Sequence, residues 1–162
     1  MSQLPASAPP GAGAAFALIN AVVSPTIDDL KVMVFLEASG LTAYEELAAT
    51  APNEAVRDLL RANGREELAH AHRVAKVIKR LSGEDFPPPP ATANPYAVPS
   101  GRKVDRKLLE YLVAAENNGN DLYETWASHT ADKEAAALLR QNGKEEVLHG
   151  KRASAAIALL DG

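Results

Sequence analysis

Glutamate and histidine recur along this chain in a pattern that can bind two metal ions. The motif Glu-x-x-His occurs twice, and each time another glutamate precedes it by thirty residues. The six residues are Glu37, Glu67, His70, Glu116, Glu146 and His149. Residues three apart on a helix lie on adjacent turns of one face, so each motif can direct a carboxylate and an imidazole at one ion. This set matches the ligands of a carboxylate-bridged two-metal site inside a four-helix bundle.

The pattern belongs to an internal repeat. Residues 37–83 align with residues 116–162 without a gap, at a constant offset of 79. The longest matched run reads LRANGREELAH in the first copy and LRQNGKEEVLH in the second. The shared positions are Glu37/Glu116, Gly40/Gly119, Tyr44/Tyr123, Glu45/Glu124, Leu59/Leu138, Leu60/Leu139, Arg61/Arg140, Asn63/Asn142, Gly64/Gly143, Glu66/Glu145, Glu67/Glu146, His70/His149 and Arg73/Arg152. This regularity indicates the duplication of one helical hairpin.

Four helices are needed to position the six side chains, and the helical signals divide the chain accordingly. Apolar residues at helical spacing and the signals that start and stop helices predict helices over residues 27–50, 54–81, 104–129 and 133–160. Residues 86–101 contain six prolines, which exclude a helix and predict an extended crossover long enough to run along the bundle. The predicted fold is all-α, with two helical hairpins joined by a long Pro-rich crossover in a four-helix bundle.

The same signals predict two segments of different character. Residues 1–25 are rich in alanine and proline and are predicted to be flexible, with a short helix over residues 14–23. Residues 26–162 are predicted to form the bundle, as a hairpin over 26–83, a crossover over 84–103 and a hairpin over 104–162.

Distances along the helices indicate which glutamates belong to the site. Glu37 and Glu67 both lie thirteen residues, roughly 20 Å, from the turn between their helices. Glu116 and Glu146 lie at the same depth in the second hairpin, so the four carboxylates can meet at one level. We predict that Glu67 and Glu146 bridge the two metals and that Glu37 and Glu116 are terminal ligands. Without metal, four buried carboxylates would repel one another.

The other recurring residues have less specific interpretations. Glu45 and Glu124 lie about 12 Å nearer the turn, where we expect them to pair with an arginine or lysine. The alternative for these two is a role beside the metal ligands or in metal entry. The glutamates that precede the bridging ones, Glu66 and Glu145, point about 100° away and are expected in salt bridges or on a solvated face. Gly40 and Gly119 provide either space at the metals or a close helix–helix approach.

Composition limits the classes of function. The net charge of −4 argues against a nucleic-acid partner, which would require a basic face. The chain has no cysteine, which excludes disulfides and thiolate metal sites. The apolar stretch near the N-terminus is too short to span a membrane and has no basic region before it, so we predict no membrane partner and a cytoplasmic location.

The complete pattern resembles the ferritin-like superfamily, which includes bacterioferritin, ferritin and rubrerythrin-type di-iron proteins. Tyr44 and Tyr123 follow the terminal glutamates by seven residues and are similar to the tyrosine beside the bacterioferritin site, so they are the expected catalytic side chains. Rubrerythrins carry a further glutamate where this chain has Gly119. They also carry a cysteine-ligated iron domain, which a chain without cysteine cannot form.

The resemblance implies a centre of two iron ions, with manganese as the alternative metal. The implied activity is oxidation of Fe(II) by oxygen or peroxide, as a ferroxidase or peroxidase-type oxidoreductase in iron handling or oxidative-stress defence. The implied partners are Fe(II), the oxidant and a second copy of the chain in a homodimer. Two other functions stay open: a dimanganese catalase or oxygenase on the same scaffold, and a non-enzymatic helical interaction module with a vestigial metal site.

Overall fold

The computed structural model describes residues 2–160, which contain five α-helices and no β-strand. The helices are α1 (Ala12–Asn20), α2 (Ile27–Ala49), α3 (Glu54–Ser82), α4 (Arg106–Ser128) and α5 (Lys133–Leu160). Helix α2 packs along α3, α4 packs along α5, and α3 contacts α5 between the two hairpins. The predicted all-α bundle of two hairpins is confirmed. Residues 1, 161 and 162 of the predicted segments lie outside the described residues.

Local capping sets the ends of the bundle helices and therefore the level of the side chains along them. Thr26 and Asp29 form a reciprocal capping box at the start of α2. The Asn53 side chain accepts a hydrogen bond from the Val56 amide at 2.9 Å and starts α3. Helix α3 ends at Gly83, whose φ of 79° suits glycine. Because the helix ends are fixed, the glutamates of one hairpin are held at matching depths.

The crossover runs along α2, from a salt bridge of Glu84 with Lys31 to a hydrogen bond of the Ser100 amide to Glu46. The Asn94 side-chain amide donates a hydrogen bond to the Phe35 carbonyl at 2.8 Å. The Phe35 ring packs against Phe86 and Tyr96, with ring centroids 6.1 and 6.4 Å apart. Between α3 and α4 the crossover contains one 3-10 turn, Ala91–Ala93. The crossover therefore contributes to the core.

The N-terminal segment also packs on the bundle. Two of its apolar residues, Ala15 and Ile19, are fully buried. The Trp126 indole donates a hydrogen bond to the Val22 carbonyl at 2.9 Å, and the Tyr96 hydroxyl donates one to the Pro9 carbonyl at 2.7 Å. The segment lies against the bundle because its apolar side chains complete the core around α2. None of the helices within residues 2–160 is both long and apolar enough to cross a membrane.

A polar layer divides the apolar core into two clusters. One cluster, which includes Phe35 and Trp126, lies toward the N-terminal end of α2 and the C-terminal end of α4. The other, which includes Leu60 and Leu109, lies toward the opposite ends of these helices. The six predicted ligands come from the segments between the two clusters on all four helices. Apolar packing on both sides therefore keeps the polar layer away from bulk water.

Candidate metal centre

The six predicted ligands lie together in the middle of the bundle. Both histidines are fully buried, and each glutamate is at most 8 % exposed. The two imidazole rings are stacked, with centroids 5.0 Å apart and planes 13° apart. Two sets of four residues can be chosen in which one ligand atom per residue lies within 4.8 Å of all the others. One set is Glu37, Glu67, His70 and Glu146, and the other is Glu67, Glu116, Glu146 and His149.

Glu67 and Glu146 belong to both sets, as expected for bridging ligands. One Glu146 oxygen lies 3.3 Å from His70 Nδ1, and the other lies 3.4 Å from His149 Nδ1. The Glu67 oxygens lie 3.9 Å from His70 Nδ1 and 3.3 Å from His149 Nδ1. Each of these carboxylates therefore presents one oxygen to each histidine, whereas a terminal ligand needs to reach only one.

Glu37 and Glu116 lie where terminal ligands are expected. Each has an oxygen 3.6 Å from the Nδ1 atom of the histidine in its own hairpin, His70 for Glu37 and His149 for Glu116. Each of the two sets thus contains a terminal glutamate, one histidine and both shared glutamates. The structure brings all six residues together, and their role as ligands stays a prediction.

The donor set fits a pair of metal ions. The Nδ1 atoms of His70 and His149 are buried, and within residues 2–160 neither has a hydrogen-bond partner. A buried polar atom without a partner is uncommon in proteins and requires an explanation. Both atoms face the carboxylate oxygens, so an ion between them would complete their coordination. Carboxylates combined with imidazole suit iron and manganese.

Without metal, protons balance the charge of the four carboxylates. Burial lowers the pKa of His70, but the Glu146 and Glu37 carboxylates outweigh it and raise this pKa to about 11. The pKa of His149 rises for the same kind of reason. Burial, together with repulsion from the other carboxylates, raises the pKa of Glu67 well above its usual value. Burial also raises the pKa of Glu116 to about 7.

Metal binding is therefore expected to release protons. A metal-ligating imidazole must be unprotonated at Nδ1, whereas the raised pKa of His70 keeps its ring protonated near neutral pH in the metal-free protein. We expect at least one proton released per ion at pH 8, from the histidines and Glu67, and more at pH 6, where Glu116 is still protonated. Affinity should consequently rise with pH. Calorimetric Co(II) titrations in two buffers of different ionisation enthalpy measure this number, and equal enthalpies in both buffers would contradict it.

Comparison with known proteins assigns the family. The family model of rubrerythrin matches residues 28–157, which include all six candidate ligands. The chain belongs to the rubrerythrin family. No curated protein and no solved structure matches it. Members of the rubrerythrin family typically bind iron, which agrees with the donor set of the buried cluster.

Both predicted tyrosines lie beside this rubrerythrin-family centre, and each contacts the opposite hairpin. The Tyr44 hydroxyl donates a hydrogen bond to Glu116, and the Tyr123 hydroxyl donates one to Glu37. Burial and then the nearby carboxylates raise the pKa of both tyrosines well above the usual value. Both hydroxyls therefore stay protonated and act as donors to the terminal carboxylates. Their catalytic role stays a prediction.

Gly40 and Gly119 make room for the shared carboxylates. A Cβ atom at Gly40 would lie 2.7 Å from Cγ and 2.8 Å from Cβ of Glu67. A Cβ atom at Gly119 would lie 3.2 Å from the carboxyl carbon of Glu146. The close approach is thus between a helix backbone and the side chain of a shared glutamate.

These distances predict unequal effects of alanine at the two glycines. Gly40→Ala should displace Glu67, destabilise the protein by about 1–3 kcal/mol and weaken metal binding, although alanine is intrinsically the better helix former. Gly119→Ala should have a smaller effect on both because the Glu146 side chain needs to move only slightly. Urea unfolding of the metal-free variants and Co(II) titration measure the two effects. A Gly40→Ala protein as stable as the parent would refute this account of the glycine.

The sequence did not reveal that Glu66 and Glu145 contact the histidines. The salt bridges expected as one alternative are present, since Glu66 pairs with Arg152 and Glu145 pairs with Arg73, each at 2.7 Å. In addition, a Glu66 oxygen lies 3.0 Å from His149 Nε2. The sequence signal for these contacts is recurrence, since both the glutamate and the arginine of each pair are repeated 79 residues apart.

The remaining pair of recurring glutamates lies outside the cluster of predicted ligands. Glu45 pairs with Arg61 at 3.2 Å, and Glu124 pairs with Arg140 at 3.0 Å. These side chains are about half exposed, and each pair lies within one hairpin. The expected pairing with arginine is therefore confirmed for both.

Proposed function

We propose that this chain is a di-iron protein that oxidises Fe(II) with oxygen or peroxide, in iron handling or oxidative-stress defence. The observation that supports this best is the pair of overlapping ligand sets that share Glu67 and Glu146. A site for one metal does not require two buried carboxylates that each face both histidines. The match to the rubrerythrin family supports iron as the metal.

In this proposal each residue has one task. His70 and His149 would each hold one ion, and Glu67 and Glu146 would be shared by both ions. The four carboxylates neutralise the charge of two divalent ions, so a filled centre is tolerated in the core. Bound iron would supply the change of oxidation state that the protein side chains cannot provide.

The protein around the ligands keeps the site in order. The hydroxyls of Tyr44 and Tyr123 hold Glu116 and Glu37 in place from the opposite hairpin. The apolar clusters on both sides exclude water, which strengthens the electrostatic interactions of the carboxylates.

Rapid mixing of the iron-loaded protein with oxidant tests the proposal. Protein loaded with Fe(II) without oxygen is mixed with oxygen or with hydrogen peroxide, and the ferric absorption is followed. We expect a rate at least about 100-fold above that of Fe(II) in buffer, with the oxidant that gives the faster rate being the preferred one. The same rate with and without protein would reject the proposal.

The same preparation separates the alternatives. Rapid disproportionation of peroxide by the manganese-loaded protein, together with slow Fe(II) oxidation, would favour a dimanganese catalase. Turnover of an organic substrate would favour an oxygenase. A protein that binds neither metal would favour the interaction module. The homodimer and the cytoplasmic location stay predictions.

A further inference from the structure

Each imidazole ring of His70 and His149 has carboxylates near both of its nitrogen atoms. Nδ1 faces the carboxylates of the metal centre, whereas Nε2 faces a glutamate outside it. His149 Nε2 lies 3.0 Å from Glu66, and His70 Nε2 lies 3.1 Å from Glu145. An ionised carboxylate can only accept a hydrogen bond, so Nε2 must carry the proton. This arrangement leaves Nδ1 available as a ligand in a neutral ring.

Each of these glutamates is itself fixed by an arginine and an asparagine. Arg152 donates two hydrogen bonds to Glu66, at 2.7 and 2.9 Å, and a third to the Asn63 side chain at 3.2 Å. The Asn63 amide donates to the His149 carbonyl at 3.2 Å. The second copy of the network consists of Glu145, Arg73, Asn142 and His70, with corresponding hydrogen bonds of 2.7, 2.9, 3.0 and 3.2 Å.

Both networks cross from one hairpin to the other. Glu66 and Asn63 lie on α3 in the first hairpin, whereas His149 and Arg152 lie on α5 in the second. By contrast, the recurring pair of Glu45 and Arg61 stays within its own hairpin. The pairs that contact histidine are also less exposed, with Glu66 at 32 % against 45 % for Glu45. Through such a network, a glutamate of one hairpin can fix the orientation of the histidine in the other hairpin.

We propose that Glu66 and Glu145 are positioning residues, each of which sets the tautomer and ring orientation of the histidine in the opposite hairpin. The inference rests on the proposed metal centre. It means that a residue of the first hairpin controls the metal pocket around His149, and a residue of the second controls the pocket around His70. Each hairpin thus orients a histidine ligand of the other. Neither hairpin contains a complete four-residue pocket by itself.

Co(II) binding to the full chain tests this crossed dependence. His70→Ala leaves the pocket around His149, and His149→Ala leaves the pocket around His70. Adding Glu66→Ala should raise the Co(II) dissociation constant about 10–100-fold in the His70→Ala background and less than about 2-fold in the His149→Ala background. Glu145→Ala should give the reverse pattern. The Co(II) absorption bands measure both affinity and coordination geometry.

The matched control is Glu45→Ala, which removes a recurring glutamate that pairs with arginine but touches no histidine. It should change neither dissociation constant by more than about 2-fold. Equal losses in the two backgrounds, or no loss in either, would overturn the proposal even though the parent protein binds two Co(II). A parent protein that binds no Co(II) would overturn the proposed function as well.

A conservative variant keeps the test valid if Glu66→Ala does not fold. Glu66→Gln retains an oxygen acceptor but loses the charge. In the Zn(II)-loaded protein with ¹⁵N-labelled histidine, we expect protonated Nε2 in both rings of the parent. Glu66→Gln should shift only the His149 Nε2–H resonance. A shift of both rings, or a proton on Nδ1 in the parent, would contradict the assigned tautomer.

Discussion

Glu146→Ala is expected to reduce Fe(II) oxidation at least about 100-fold. The substitution removes a carboxylate that faces both histidines and belongs to both ligand sets, so both ions lose a ligand at once. Glu67→Ala should have a comparable effect because Glu67 is also shared. Anaerobic Fe(II) titration followed by rapid mixing with oxidant measures the affinity and the rate in one preparation.

Two variants serve as comparisons for Glu146→Ala. Glu124→Ala removes an exposed glutamate that pairs with Arg140 and should leave the oxidation rate unchanged within about 2-fold. Glu116→Ala removes a residue that belongs to one set only. It should therefore lower the affinity for one ion and leave the affinity for the other unchanged. Retention of two tightly bound irons by Glu146→Ala would show that this residue is not a shared ligand.

Metal loading is expected to stabilise the fold strongly. An ion that binds only the folded chain, at a free concentration 100 times its dissociation constant, adds about 2.7 kcal/mol. For a chain of this size, that corresponds to a rise in the unfolding temperature of roughly 5–10 °C per site. The physical reason is that two ions replace protons among four buried carboxylates. Scanning calorimetry with and without Fe(II), in the absence of oxygen, measures the shift.

The shift also distinguishes a working centre from a vestigial one. An interaction module that has lost its site should unfold at the same temperature with and without metal. The Glu146→Ala protein provides the control, because its unfolding temperature should respond much less to Fe(II). An equal response in the parent and in this variant would mean that the ions bind elsewhere on the surface.

The fold and the ligand cluster could be predicted because local signals determine them. Thr26, Asn53 and Gly83 mark helix ends, and the distance from these ends places Glu37 and Glu67 at one level. The repeat then supplies the second pair of glutamates at the same level. These relations depend on the geometry of a single helix or hairpin, so one sequence is sufficient.

The crossed contacts could not be predicted because they depend on how the hairpins dock. Glu66 is rotated by about 100° about the helix axis from Glu67, so it is expected to point away from the predicted metal site. This rotation does not indicate which helix Glu66 contacts. The packing of α3 against α5 brings it to His149. The packing of the N-terminal segment could not be predicted for a similar reason. Its composition carries no information on the surface of α2 that α1 contacts.

The most direct test of the central claim is the number of iron ions bound per chain. The metal-free protein is loaded with Fe(II) without oxygen, free iron is removed, and the protein is then exposed to oxygen while its absorption is followed. The account predicts two irons per chain and the absorption of an oxo-bridged ferric pair. One iron per chain, or none, would contradict a centre in which Glu67 and Glu146 bridge two ions.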